Sequence, residues 1–422
     1  MPALDHDVPP TTPAPGDPKR LSARAARLIG RVLVIALVTM LVAGCYPETG
    51  PTAVPILAPA AFSNDSTIDL QSIPTIPSMP STSSAAETER QDLLTKLRVP
   101  PLLAAPAIYW GAEIGDQYTG AHPPWDMSAV SKFEAMSGKA PSIVAFAAPF
   151  ANCYSTCFNY TFDTTAFENI RQHGSIPFFS WSSQSLPTSL NEPNYQLSDI
   201  SSGTFDSFIT AWATAAKQWG QPFFLRFNWE MNGNWFPWAE GVNGNHQGDY
   251  VAAWHRVHDI FTSVGATNAS WVWCPNIDIQ HQFTPLASLY PGDAYVDWTC
   301  LDGYNWGSTR GSWDSFDDIY SSTYHEIVDT VAPTKPMIIG EVSSSEGGGS
   351  KAEWITDMLS VQLPTNYPKI RGVVWMDTNT DNMDWPLVSS TASKQAFAAA
   401  IQSPRFATNT FGSVTAAIRP PN

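Results

Sequence analysis

Charge is what this 422-residue chain has least of: Asp, Glu, Lys and Arg together make 14%, against about 25% in average soluble proteins. What charge exists is mostly negative, with 38 acidic against 22 basic residues and a net charge of −16. An acidic surface repels phosphate backbones, which excludes nucleic acid as a partner and disfavours polyanionic sugars. Several chemical signatures are missing too. There is no Gly-x-Ser-x-Gly elbow and no His-Glu-x-x-His pair, which argues against an esterase or a protease. No glycine-rich phosphate loop follows the first apolar run. No histidines cluster near the cysteines, so neither a metal site nor a cofactor is expected.

Aromatic residues, by contrast, are plentiful at 12%, with 17 Trp, and hydrophobic residues reach 43%. That is enough for a sizeable core. So many indoles in a lightly charged chain favour a ligand with flat C–H faces, and pyranose rings have them. A neutral polysaccharide fits both the rings and the charge.

The first hundred residues read differently from the rest. Residues 1–44 carry Lys19, Arg20, Arg24, Arg27 and Arg31, then an apolar run from Val32 to Gly44. The run falls short of the ~20 residues that span a bilayer and suits a signal-peptide core. It ends Leu41-Val42-Ala43-Gly44-Cys45, which resembles a bacterial lipoprotein cleavage box. Cys45 is then the lipidation site, and the protein is exported and anchored to the outer face of the membrane. A plain membrane anchor or an ordinary secretory signal are the alternatives. Residues 45–102 are rich in Ser, Thr, Pro and Ala and read as a flexible tether.

Four further cysteines, Cys153, Cys157, Cys274 and Cys300, are free to pair in an exported protein. Three connectivities are possible, and Cys153–Cys157 with Cys274–Cys300 is preferred. His255 and His258 sit three apart on an expected helix and read as solvated helix surface.

Beyond Leu103, short β-branched and aromatic runs begin near Ala107, Pro141, Ile176, Pro222, Ala269, Val296, Pro336 and Ile370. Helical or loop stretches separate them. Eight strand–helix units predict an α/β fold, a closed (β/α)8 TIM barrel over 103–407, with a tail at 408–422. Between them, Tyr250, Trp254, Val257 and Phe261 make one helical stripe stopped by Gly265. Ser350-Lys351-Ala352-Glu353 has the form of a capping box.

Chemistry in such a barrel sits where strands end. The fourth run, Pro222 to Glu230, alternates apolar Phe223, Leu225, Phe227 and Trp229 with Phe224, Arg226, Asn228 and Glu230. The second row becomes polar toward the mouth and has no packing rationale. The seventh run ends Gly340-Glu341. Strands four and seven face each other across a barrel, so Glu230 and Glu341 form the kind of carboxylate pair that glycoside hydrolysis requires.

The segment Arg226-Phe227-Asn228-Trp229-Glu230-Met231-Asn232-Gly233-Asn234-Trp235-Phe236-Pro237-Trp238 resembles the acid/base segment of glycoside hydrolase family 26, the family of many β-mannanases. Trp273-Cys274-Pro275-Asn276, Asp302-Gly303-Tyr304-Asn305-Trp306, Gly340-Glu341 and Val374-Trp375 resemble its later strand ends in the same order. The resemblance implies a retaining mechanism with Glu230 as acid/base and Glu341 as nucleophile. It also implies that Tyr304 hydrogen-bonds the nucleophile and that Trp375 floors the sugar being cleaved. Trp235 and Trp238 are candidates to line the cleft, with core packing as the alternative for all three Trp. Asn228 either contacts substrate or orients Arg226; Asn232 and Trp229 complete the candidate substrate-binding set. Trp229 is a departure, because family mannanases usually have His there. It weakens mannan relative to β-1,3-xylan or β-glucan. The resulting expectation is a monomeric endo-β-1,4-mannanase or close relative; a catalytically silent sugar-binding lipoprotein is the alternative from another class.

Overall fold

Eight of the apolar runs form parallel strands: β1 (Tyr109–Ile114), β2 (Ile143–Asn152), β3 (Ile176–Leu186), β4 (Phe223–Phe227), β5 (Ala269–Trp273), β6 (Trp298–Asn305), β7 (Met337–Ser344) and β8 (Ile370–Asp377). Each pairs with the next, and β8 pairs back onto β1, so the sheet closes into a TIM barrel. This computed structural model describes residues 107–278, 283–408, 411, 414 and 417–421. The expected signal segment 1–44, Cys45 and the expected tether 45–102 lie outside the described residues. No helix among the described residues is long and apolar enough to cross a membrane.

The returning helices are α1 (Met127–Ser137), α2 (Thr164–His173), α3 (Asp206–Trp219), α4 (Asp249–Val264), the single turn α5 (Leu286–Leu289), α6 (Phe316–His325), α7 (Lys351–Asp357) and α8 (Thr391–Ile401). Their starts follow capping chemistry, with Asp126, Asp163, Ser315, Ser350 and Ser390 each accepting a backbone N–H of the first turn. On α4 the stripe Tyr250, Trp254, Val257 and Phe261 is buried, and Gly265 ends the helix with φ 74°. Its two histidines are less solvated than expected. His255 stacks on Tyr295 with ring centroids 3.8 Å apart, and His258 packs between Trp271 and Tyr295.

The barrel interior is layered. Tyr109, Phe178, Phe224 and Trp298 fill its base ring against ring. Arg226 and Asp302 occupy the level above, and the carboxylates lie at the mouth. In the segment 408–422, read from sequence as a tail, the described residues 418–421 pack at the base. Ile418 is buried; its N–H donates to Ser270 Oγ (2.8 Å), and its carbonyl accepts from Trp298 Nε1 (2.8 Å). Tyr109 and Arg371 donate to the carbonyls of Arg419 and Pro421.

Candidate active site

Alternation along β4 aims Arg226 into the barrel, where it is almost wholly buried. A buried guanidinium requires partners, and three other strands of the barrel supply them. Its Nε donates to Ser180 Oγ on β3 (2.8 Å), Nη1 to Asp302 Oδ2 on β6 (2.8 Å) and Nη2 to Glu341 Oε1 on β7 (2.6 Å). Burial opposes its charge, but Asp302 and Glu341 outweigh that and hold its pKa above the ordinary value. Rings of Phe178 and Trp229 face the guanidinium at 5.4 and 4.9 Å. Trp229, in the position where His is usual, is thus a 2%-exposed cover for Arg226.

Glu341 sits on β7 directly after Gly340, and only glycine fits that step. A Cβ at Gly340 would lie 2.5 Å from Cys300 Sγ, 2.7 Å from Asp302 Oδ1 and 3.0 Å from Arg226 Nη1. The second Glu341 oxygen, Oε2, accepts from the Tyr304 hydroxyl. With a guanidinium on one oxygen and a phenol on the other, the Glu341 carboxylate is fixed in one orientation.

Glu230 arrives by a different route from the one alternation predicts. β4 stops at Phe227, and Asn228 and Glu230 both turn left-handed, at φ 44° and 53°. Such conformations cost non-glycine residues of order 1 kcal/mol and gather at functional sites. The N–H groups of these two residues point at opposite neighbours: Asn228 N donates to Trp181 O (3.1 Å) and Glu230 N to Cys274 O (2.6 Å). The Glu230 carboxylate then accepts from Trp235 Nε1 and Asn276 Nδ2, each at 2.6 Å. Burial, and after it the charge of Glu341, push the Glu230 carboxyl up to about 7, against the two hydrogen bonds. Oxygens of Glu230, Asp302 and Glu341 all lie within 4.8 Å of one another. That donor set resembles a cation site, but Arg226 already donates to two of the three.

The other sequence candidates separate. Trp235 is 37% exposed, holds Glu230 and covers Gly233, where a Cβ would fall 2.4 Å from its ring. Trp238 is fully buried against Phe236 and Trp229, and its N–H donates to the Trp229 carbonyl (2.7 Å). Asn232 exchanges two hydrogen bonds with the Asn276 backbone and so orients the residue that holds Glu230. Asn228 exchanges two with Ser183 near the end of β3, so its amide is engaged there and makes no hydrogen bond to Arg226 among those of the described residues. Trp375 faces the helix layer, between Trp354 and Phe397, and is 1% exposed. The indole beside the mouth is Trp385, 5.0 Å from both Tyr304 and Trp306. Cys153 pairs with Cys157 and Cys274 with Cys300.

Sequence reading assigned no role to Asn276, Asp302, Glu113 or Trp385. The first two stand in quoted motifs, so their signal was available. Glu113, half-buried near the end of β1, has its carboxyl raised by burial and by Glu341, against Arg226. It lies outside any quoted motif.

A closed (β/α)8 barrel that sets one glutamate just past strand four and another on strand seven, over a buried arginine, is the architecture of a glycoside hydrolase. The model of glycosyl hydrolase family 26 matches residues 129–354, and the chain belongs to that family. Endoglucanase H of Acetivibrio thermocellus is 36% identical over 297 residues, covering 69% of this chain and 30% of that protein. A mannan endo-1,4-beta-mannosidase of Bacillus subtilis is 32% identical over 145 residues, covering 32% and 35%. The chain therefore spans about a third of either relative. Among solved structures, the family 26 domain of a Prevotella bryantii endo-beta-mannanase/endo-beta-glucanase shares the fold at TM-score 0.52 and 17% identity, over 78% of this chain and 96% of that one.

Proposed function

We propose that the protein is a retaining glycoside hydrolase acting inside neutral β-linked polysaccharides, with Glu230 as acid/base and Glu341 as nucleophile. The observation that carries this reading is the unequal treatment of two carboxylates within 4.8 Å. Arg226 and Tyr304 each donate to one oxygen of Glu341 and aim it as a nucleophile, whereas burial raises Glu230 toward the protonated form. Carboxyls about 5–5.5 Å apart suit attack by one on the sugar carbon; an inverting pair needs about 6.5–9.5 Å to admit water. Glu230 then protonates the departing oxygen, and Glu341 bonds to the anomeric carbon. Water, deprotonated by Glu230, releases the sugar with its configuration retained.

The backbone cleaved is β-1,4-mannan in the first reading. The endoglucanase relative, matched over more of the chain than the mannosidase, and Trp229 in place of His favour a second, β-glucan. Specificity constants on a panel of mannan, glucomannan, mixed-linkage glucan and β-1,3-xylan separate them.

Azide tests the two roles. Glu230→Ala should lose glycan cleavage yet still attack substrates whose leaving group needs no proton, and azide should then yield a β-glycosyl azide. Glu341→Ala should fail on every substrate until azide replaces the carboxylate and yields the α-azide. Proton NMR of the products reads the configurations. Opposite configurations would exchange the roles, and near-normal glycan turnover by either variant would remove the site.

A further inference from the structure

Lys351 is a fully buried cation that the cleavage chemistry above does not use. It stands at the first position of α7, where the helix dipole disfavours positive charge. Burial of an ammonium is expensive unless it is well bonded. Its Nζ donates to the carbonyls of Asp384 (2.5 Å), Trp385 (3.1 Å) and Pro386 (3.0 Å) and to Ser389 Oγ (3.1 Å). All four acceptors belong to one segment, residues 384–389, that follows β8. None is a carboxylate, so the contact is aimed at a backbone rather than at a charge.

That backbone carries part of the candidate site. The Trp385 carbonyl also accepts from Ser343 Oγ on β7 (3.0 Å) and from Trp375 Nε1 on β8 (3.1 Å). The Trp385 ring packs on Tyr304, whose hydroxyl holds Glu341. A continuous chain of contacts thus runs from the Lys351 ammonium through Trp385 and Tyr304 to the Glu341 carboxylate. We propose that Lys351 is a positioning residue for cleavage: its ammonium pins segment 384–389, which seats Trp385 against Tyr304 and so fixes the nucleophile. This rests on the roles given to Glu341 and Tyr304 above.

The charge itself matters, because an amine has one N–H fewer than an ammonium for the same four acceptors. Burial lowers the Lys351 pKa to about 8, with Glu346, Asp384 and Asp377 pulling it up. Those three acids come from the loop after β7, the segment after β8 and the end of β8. The clamp is therefore complete below that value and loosens as pH rises through it.

The test uses a dinitrophenyl β-glycoside of the preferred sugar under single turnover. Its leaving group needs no proton, so the glycosylation rate is free of the Glu230 titration and reads the nucleophile. The wild-type rate should fall as pH rises through about 8. Lys351→Met should lower it about tenfold or more, as small misplacement of reacting groups does, and should abolish that fall. Ser343→Ala, which removes one donor to the Trp385 carbonyl, should lower the rate less and keep the fall. If Lys351→Met does not fold, Ser343→Ala and the wild-type profile decide. A folded Lys351→Met with only a lower Tm, its rate and profile unchanged, would overturn the inference; so would a flat wild-type profile with a normal Ser343→Ala. Glu341→Ala in the same assay keeps the two readings apart. If it is inactive while Lys351→Met is normal, only the clamp fails; if it turns over, the site itself fails.

Discussion

Two glutamates a few ångströms apart differ here because their neighbours differ. Glu341 meets a guanidinium and a phenol; Glu230 meets an indole and an amide and lies in the field of Glu341. The pH dependence follows. Glu230 must carry a proton to act as the acid, and its carboxyl is raised to about 7. Glycan kcat/KM should hold below that value and decline as pH rises through it. With Glu230→Ala and an activated aryl glycoside, the decline near 7 should vanish, leaving only the weakening near 8 that Lys351 brings. Persistence of the decline near 7 in that variant would assign it to Glu113, which is raised in the same way.

At the level of strands and loops, Gly340 is the tight junction beside the carboxylates, since Cβ positions under 3.0 Å from sulfur and carboxylate oxygen force atoms to move. Gly340→Ala should cost roughly 1–3 kcal/mol by overpacking. It should also cut kcat/KM about a hundredfold by shifting Arg226 away from Glu341. Thermal unfolding and steady-state kinetics check the pair; a stable variant with normal kinetics would mean that the layer yields freely. The strand order and the barrel were legible because β-branched runs recur at strand length with helical stripes between them. Period served less well where strands stop. Alternation put Asn228 and Glu230 on one row with Arg226, but the backbone leaves the strand at Phe227 and sends the two side chains to different neighbours. Trp375 keeps strict period on β8, and that same period turns it toward the helices. Trp385 lies in an aperiodic loop, so nothing in its neighbourhood announced that it would reach Tyr304. Lys351 was read as part of a capping box. The Ser350 cap forms, and the lysine beside it is taken by a loop 33 to 38 residues away.

For the whole chain, we propose that Cys45 carries a lipid, on the basis of the basic flank, the apolar run and the Val42-Ala43-Gly44-Cys45 sequence. Cys45→Ala should then move the protein from the detergent phase to the aqueous phase in a partition assay. Equal partitioning of both forms would remove the proposal. The barrel adds a directional argument of its own. Ile108 N donates to Arg405 O and Arg371 Nε to Ala107 O, both at 2.8 Å, so the chain enters beside the start of β8, at the base. The last described residues finish at the same place, as Pro421 bonds to Arg371. Both ends of the folded unit thus leave from the face opposite Glu230 and Glu341. Fixed to a support at either end of the described domain, the barrel presents its open side away from the point of attachment. The same geometry makes the base the natural attachment point for a bead, an electrode or a fused partner.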